Sequence, residues 1–259
     1  MRIAAAQLTC VPGDIPANVR QAAALAEQAR DQGADLLLLP ELALTGYELG
    51  ALADDPGLLV DADDARLDVL RAGARRSGIA VVVNAAVPGG GTGARPAIGT
   101  FVYGPDGELV TTYLKQHLYE QERSLFAPGD RDGRFELGGV RFALATCYDS
   151  HFPDLAARAA ADGCQVYLAS ALYGTGDGIR ERAALYPRIA ETTGLLVALA
   201  NHVGPSGPWT GCGRAAIWDP GGSLLAEADD RTSMTVTAEA VHRRRRGPVR
   251  ERPTASGPR

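Results

Sequence analysis

The sequence predicts an α/β fold in which helices cover mixed β-sheets. Short apolar runs of strand type alternate with segments of helical period. Two turn signals, GPDG at 104–107 and DPGG at 219–222, join neighbouring runs as local hairpins, so the sheets are not purely parallel. The chain has 259 residues, 46% of them hydrophobic, which is enough to bury a sizeable core.

In chain order the reading begins with a strand at 2–7 and a helix at 16–32. A strand at 35–39 runs into Pro40, a helical pattern covers 63–77, and strands follow at 79–84, 99–103 and 108–114. The last of these alternates and ends at Lys115. The apolar run 140–146 stops at Cys147, and a helical pattern follows over 152–162. Strands at 165–169 and 195–201 flank a helix at 178–193, which Pro187 should kink or split. Strands at 214–218, 223–228 and 232–238 complete the set. The Gly/Pro-rich stretch 88–99 and the GTGDG segment at 174–178 read as surface loops.

Composition narrows the function classes. No run of about 18 apolar residues is present, so a membrane span is not expected. The N-terminus enters a strand-like segment without the apolar stretch of a signal peptide. Cys10, Cys147, Cys164 and Cys212 are scattered, with no CxxC pair or zinc-type spacing. A reducing, cytoplasmic setting is the expectation. The net charge is −5; the last 17 residues hold seven arginines against one glutamate, +6, which leaves −11 on residues 1–242. An acidic body argues against nucleic acid as the main partner. Residues 1–242 are read as one domain and 243–259 as an Arg/Pro-rich tail, either solvated or an arm for an acidic neighbouring subunit.

Three residues carry the chemistry. Cys147 follows a buried strand and precedes a helical segment, a position where the helix dipole favours the thiolate. Glu41 follows the strand that ends at Pro40, and Lys115 ends the alternating strand. Such strand ends are where α/β sheets place functional groups. Each residue alone has a bland reading, as core thiol, loop acid or surface lysine. Together they supply what opening an amide or nitrile requires: a nucleophile, a proton carrier and positive charge for the oxyanion.

At these segments the chain resembles the nitrilase superfamily of carbon–nitrogen hydrolases. The matching stretches are PELALTGY around Glu41, YLKQHLYEQERSLFAPGD around Lys115 and TCYDSHFPDLAARAAADG around Cys147, with weaker matches at LANHVG and DPGGSLLAEA. The likeness covers about residues 1–240. It implies an α-β-β-α four-layer sandwich, two mixed sheets covered by helices, often paired into a homodimer. It also implies Glu41 as general base, Lys115 with the Tyr148 N–H as oxyanion holders, Glu122 as the acid that positions substrate and supports Lys115, and a thioester intermediate. Neither a metal nor an organic cofactor is implied. Tyr47, Tyr148 and Tyr173 are the candidate pocket walls.

Some positions leave the family pattern: Ala97-Ile98, Thr192-Thr193 and Gly213-Arg214-Ala215. They put pocket shape in doubt. His117 reads as a hydrogen-bonded neighbour of the Lys115 strand, His151 as a pocket or solvent residue, and Cys10 and Cys164 as core. Gly211-x-Gly213-x-x-Ala216 lacks the following helix of a dinucleotide fingerprint. The leading expectation is an amidase acting on a small linear carboxamide, aliphatic or ω-amino. N-carbamoyl amine hydrolysis and nitrile hydrolysis are alternatives within the same chemistry. Acyl transfer, or docking through the Arg-rich tail, is the alternative of another class.

Overall fold

The computed structural model describes residues 1–91 and 93–240; the predicted tail 243–259 lies outside the described residues. The order is β1 (Arg2–Leu8), α1 (Ile15–Asp31), β2 (Leu36–Leu38), α2 (Leu49–Asp54), α3 (Asp68–Ser77), β3 (Ala80–Val87), β4 (Ala97–Tyr103), β5 (Leu109–Leu114), β6 (Gly133–Leu137), β7 (Val140–Thr146), α4 (Pro153–Ala161), β8 (Val166–Ala171), α5 (Asp177–Thr193), β9 (Leu196–Ser206), β10 (Trp209–Cys212), β11 (Ala216–Trp218), β12 (Leu224–Glu227) and β13 (Met234–Glu239). None of the helices among the described residues is long and apolar enough to cross a membrane.

The predicted elements are present, with differences that have local causes. The helix expected over 63–77 begins as a 3-10 turn at Ala65–Leu67 and becomes α-helical only at Asp68, because the Asp64 side chain caps the earlier turn. Helix α5 runs through Pro187 without splitting. The short elements α2, β6 and β10 had no clear period: α2 is six residues, and β10 carries Gly211 in a run of four. Helix α1 starts where Asp14 accepts a hydrogen bond from the Ala17 N–H at 2.9 Å, with a proline in the first turn.

The strands form two six-stranded halves, β5-β4-β3-β2-β1-β13 and β6-β7-β8-β9-β11-β12. The two predicted sheets are hydrogen-bonded into one, because β9 pairs with β1 through Gln7↔Asn201 and Leu8↔His202. Side-chain alternation then generates the layers. Ile3, Ala5, Leu36 and Leu38 of the first half pack against Phe142, Leu144, Val166 and Leu168 of the second. Their sequence neighbours Ala4, Ala6, Leu37 and Leu39 turn the other way, onto α1 and α3. Ala143, Tyr167, Ala169 and Val197 do the same toward α4 and α5. Both faces of each half are therefore apolar, which is why β1, β2, β3 and β8 are buried along almost their whole length. The result is the four-layer α-β-β-α arrangement.

Leu168 is fully buried between the two halves. Leu168→Ala is expected to lower the unfolding free energy by about 2–5 kcal/mol. Val69→Ala, at a residue 49% exposed, should change it by less than about 0.5 kcal/mol. Urea unfolding followed by circular dichroism checks both.

Candidate active site

Strand direction brings the three chemical residues to one edge. β1, β2 and β3 are parallel, and β4 and β5 are successively antiparallel, so β5 points the same way as β2. β9, β8 and β7 are parallel to β1 as well. Glu41 lies just past the carboxyl end of β2, Lys115 directly follows β5, and Cys147 directly follows β7. All three emerge on the same side of the sandwich.

Lys115 is the centre of the cluster. Its Nζ donates to Glu41 Oε1 and to Glu122 Oε1, both at 2.7 Å, and all three side chains are fully buried. Burial disfavours the ammonium, but the negative charges around it, Glu41 first, outweigh that and hold its pKa above the ordinary lysine value. Glu122 is fixed further by the Tyr47 hydroxyl on Oε1 and the Tyr119 N–H on Oε2, each at 2.7 Å. Burial pushes the Glu41 carboxyl up to about 7, against the pull of Lys115. Its Oε2 is buried and has no hydrogen-bond partner among the described residues. The Cys147 thiol neighbours this carboxylate and acts on its titration.

Cys147 departs from the sequence expectation in one respect. Residues Cys147–His151 form a 3-10 turn, and α4 begins only at Pro153, so no α-helix N-terminus meets the sulfur. Burial and then the Glu41 charge raise the thiol well above its ordinary value, and the Lys115 ammonium only partly opposes them. Cys147 is thus held as a neutral thiol beside the Glu41 carboxyl, not as a preformed thiolate. Its Sγ lies 3.9 Å from the Leu172 carbonyl oxygen.

The turns that present Glu41 and Cys147 are both strained. Cys147 has φ +45° and Leu42, next to Glu41, has φ +46°, in the left-handed region that non-glycine residues seldom occupy. One side chain reaches both. Asn84, on β3, accepts from the Leu42 N–H at 2.7 Å and donates to Thr146 Oγ1 at 3.3 Å. The His202 ring bonds the Glu41 carbonyl oxygen through Nε2; burial lowers its pKa to about 4, so it is neutral. Asp149 locks the Cys147 turn to the Lys115 segment. It accepts from the Thr146 N–H (2.9 Å) and Tyr113 hydroxyl (2.6 Å) on Oδ2, and from the Gln116 (3.2 Å) and His117 (2.8 Å) N–H groups on Oδ1. Asn84, His202 and Asp149 were absent from the sequence reading. The only signal was an asparagine interrupting the apolar run 80–87, since a buried aspartate reads like any loop acid.

A cavity of about 410 Å³ opens on Cys147 and Glu41. Tyr47, Tyr148 and Tyr173 all line it, as the sequence reading placed them, and Tyr119, Glu181 and Trp209 are additional walls. Lys115 and Glu122 sit beneath its surface. Asn201 orders the Tyr173 wall by accepting from the Tyr173 N–H at 2.7 Å while donating to the Gly213 carbonyl at 2.7 Å. His151 lines the cavity, whereas His117 stacks on Phe152 and binds Asp149. Cys10 and Cys164 are buried; burial pushes the Cys10 thiol up to about 12. The positions that leave the family pattern do not line the cavity. At Ile98 the useful group is the backbone carbonyl, which accepts from the Lys115 N–H at 2.9 Å whatever the side chain.

Residues 2–250 match the family described as carbon-nitrogen hydrolase. The chain is similar to a glutamine-dependent NAD(+) synthetase of Rhodobacter capsulatus, 31% identical over 237 residues that cover 87% of this chain and 41% of that protein. It therefore spans well under half the length of that relative. It is similar to the 2-oxoglutaramate amidase of Bacillus subtilis, 28% identical over 213 residues, covering 81% of this chain and 79% of that one. Among solved structures it is similar to the amidase from Nesterenkonia sp. AN1, at 32% identity and a TM-score of 0.85 with 93% of each chain covered. A variant of that amidase carries acrylamide on its active-site cysteine, and another was solved with butyramide.

Asp149→Asn replaces one accepting oxygen by an N–H₂ facing buried donors. The expected loss is about 1–3 kcal/mol of stability for each donor left unpaired. Urea unfolding of the variant beside the parent, with a midpoint unchanged as the contrary result, tests whether this carboxylate holds the site together.

Proposed function

Because the chain belongs to the carbon–nitrogen hydrolase family, we propose that it is a cysteine-dependent amidase of small linear carboxamides, aliphatic or ω-amino. The products are a carboxylate and ammonia, formed through a thioester on Cys147. The observation that carries this reading is the Glu41 carboxyl, which neighbours the Cys147 thiol and whose Oε2 is buried without a partner while Oε1 is held by Lys115. That is the position of a base waiting for one proton.

In the proposed cycle Glu41 Oε2 takes the thiol proton as Cys147 sulfur attacks the amide carbon. The carbonyl electron pair moves onto oxygen, and the Lys115 ammonium and the Tyr148 N–H receive that charge. Tyr148 is the second residue of the 3-10 turn, so its amide has no partner within the turn. Glu41 then passes its proton to the amide nitrogen. The carbon–nitrogen bond breaks, ammonia leaves and the thioester remains. Water attacks next, its proton going to Glu41, and collapse of the second tetrahedral species returns the thiol and releases the acid. Glu122 keeps Lys115 in place and neutralises part of its charge.

The acceptors around the sulfur favour an amide over a nitrile. The Leu172 carbonyl and Glu41 Oε2 both surround Cys147, and an amide N–H₂ supplies donors for them where a nitrile has none. The amide of the Bacillus relative, 2-oxoglutaramate, carries a carboxylate. No lysine or arginine lines this cavity among the described residues, so an anionic amide finds no strong partner here.

Ammonia release from a panel of aliphatic amides, ω-amino amides, N-carbamoyl amines and nitriles is expected for the amides and to vanish in Cys147→Ala. Release that survives the substitution would exclude the mechanism. Lys115→Ala should cost on the order of 10²–10³ in kcat with a much smaller change in KM, because its charge meets the oxyanion in the transition state. The Glu41 carboxyl is pushed up to about 7 and must be ionised to act. kcat/KM should therefore fall about tenfold per pH unit below that value, and a pH profile flat from 5 to 8 would contradict its role as base.

A further inference from the structure

The cavity wall supplied by α5 has a chemistry distinct from that around Cys147. Asp177 and Glu181 lie four residues apart on α5, hence on one helix face, and both line the cavity. Asp177 already pairs with Arg180, on a fully exposed part of the helix. Glu181 has a half-exposed side chain, and among the described residues its ion-pair partner is His151, whose Nε2 is 3.4 Å from Oε1. His151 Nε2 is also 3.3 Å from the Tyr173 hydroxyl. The Tyr148, Tyr173 and Trp209 rings line the same cavity. The amino end of α5 contributes about half a positive charge, which Asp177 offsets.

Resting on the amidase reading, we propose that Glu181 is the specificity-determining residue on the α5 wall of the cavity, and that the substrate carries a cationic group there, of the primary-ammonium class. A carboxylate in that position meets Glu181 and Asp177 with no lysine or arginine in the lining. A plain alkyl end offers Glu181 no partner beyond water and His151. An ammonium satisfies the carboxylate and lies against the negative faces of the aromatic rings. The orphaned Glu41 Oε2 and Cys147 thus mark the reacting end of the substrate, and Glu181 marks the other.

The test compares kcat/KM for 5-aminopentanamide, its uncharged isostere hexanamide and the monoamide of glutaric acid. The parent enzyme is expected to prefer the cation over the isostere by about five- to tenfold, with the anion last and the preference shrinking as salt rises. In Glu181→Gln the ratio should fall to near unity, and in Glu181→Lys the order of cation and anion should invert. Loss of folded protein cancels in these ratios. Equal use of the two isosteres by the parent, or a preference that survives in Glu181→Gln, overturns the inference and leaves the amidase reading standing. Binding of the same amides to Cys147→Ala by titration calorimetry separates the two further. A Glu181-dependent preference in binding, with no turnover in the parent, would support the pocket assignment and sink the hydrolytic one.

Discussion

A fully buried lysine between two buried carboxylates is the constraint on which the site depends. An ammonium at such a depth is tolerable only when its charge is matched and its donors are used, and Glu41 and Glu122 do both at 2.7 Å. With both carboxylates ionised the triad carries one net negative charge; burial first, and then the Glu41 charge, keeps the neighbouring thiol protonated. The same charge balance suits the chemistry. In the proposed cycle the thiol proton moves to Glu41 as an oxyanion forms near Lys115, so the net charge of the buried cluster would not change; only its position would. A site with a free thiolate would have to hold a second negative charge at rest. Holding the charge constant through the attack removes most of the reorganisation that water would otherwise supply.

The sheet supplies the geometry this requires. Glu41, Lys115 and Cys147 come from strands in both halves, and the joint at β1 and β9 fixes those halves relative to each other. Local backbone preference works against the result, since Leu42 and Cys147 both sit at positive φ. Long-range hydrogen bonds hold them there. Asn84 ties the two strained turns together, Ser170 bonds the Leu39 carbonyl at 2.7 Å across the halves, and Asp149 pins the turn after the nucleophile to the segment that carries Lys115. Strain at the reactive residues is thus balanced by buried polar bonds around them, the arrangement expected where a functional group must be presented against its own rotational freedom.

These two layers of organisation were unequally legible in the sequence. Strand ends were visible because a buried strand leaves an uninterrupted apolar run, and a Glu, a Lys or a Cys that closes one stands out. Of the candidate pocket walls, Tyr47 and Tyr148 come after two of those same strands, whereas Tyr173 follows β8. Asp149 and His202 gave no such signal, because their roles lie in partners brought together only by the fold. The thiol was misjudged for the same reason. Local spacing suggested a helix dipole, while the dominant influences are burial and the charge on Glu41, a residue far away in the chain. The continuous sheet was likewise hidden, since it depends on two residues at the end of β1 meeting the middle of β9, the longest strand.

Proton linkage joins the base to the stability of the fold. The Glu41 carboxyl rises from an ordinary 4.5 to about 7 in the native state. A raised carboxyl stabilises the folded form most below 4.5, and that contribution is lost as pH climbs through 7. His202 falls from 6.5 to about 4, so its contribution is present above 6.5 and lost as pH drops through 4. Between 4.5 and 6.5 the two slopes oppose each other; above that window only Glu41 acts, and it acts against the fold. The condition that ionises Glu41 is therefore the one in which its carboxyl stabilises the protein least. The dense packing of both sheet faces, together with the hydrogen bonds of Asp149 and Asn84, has to carry the difference.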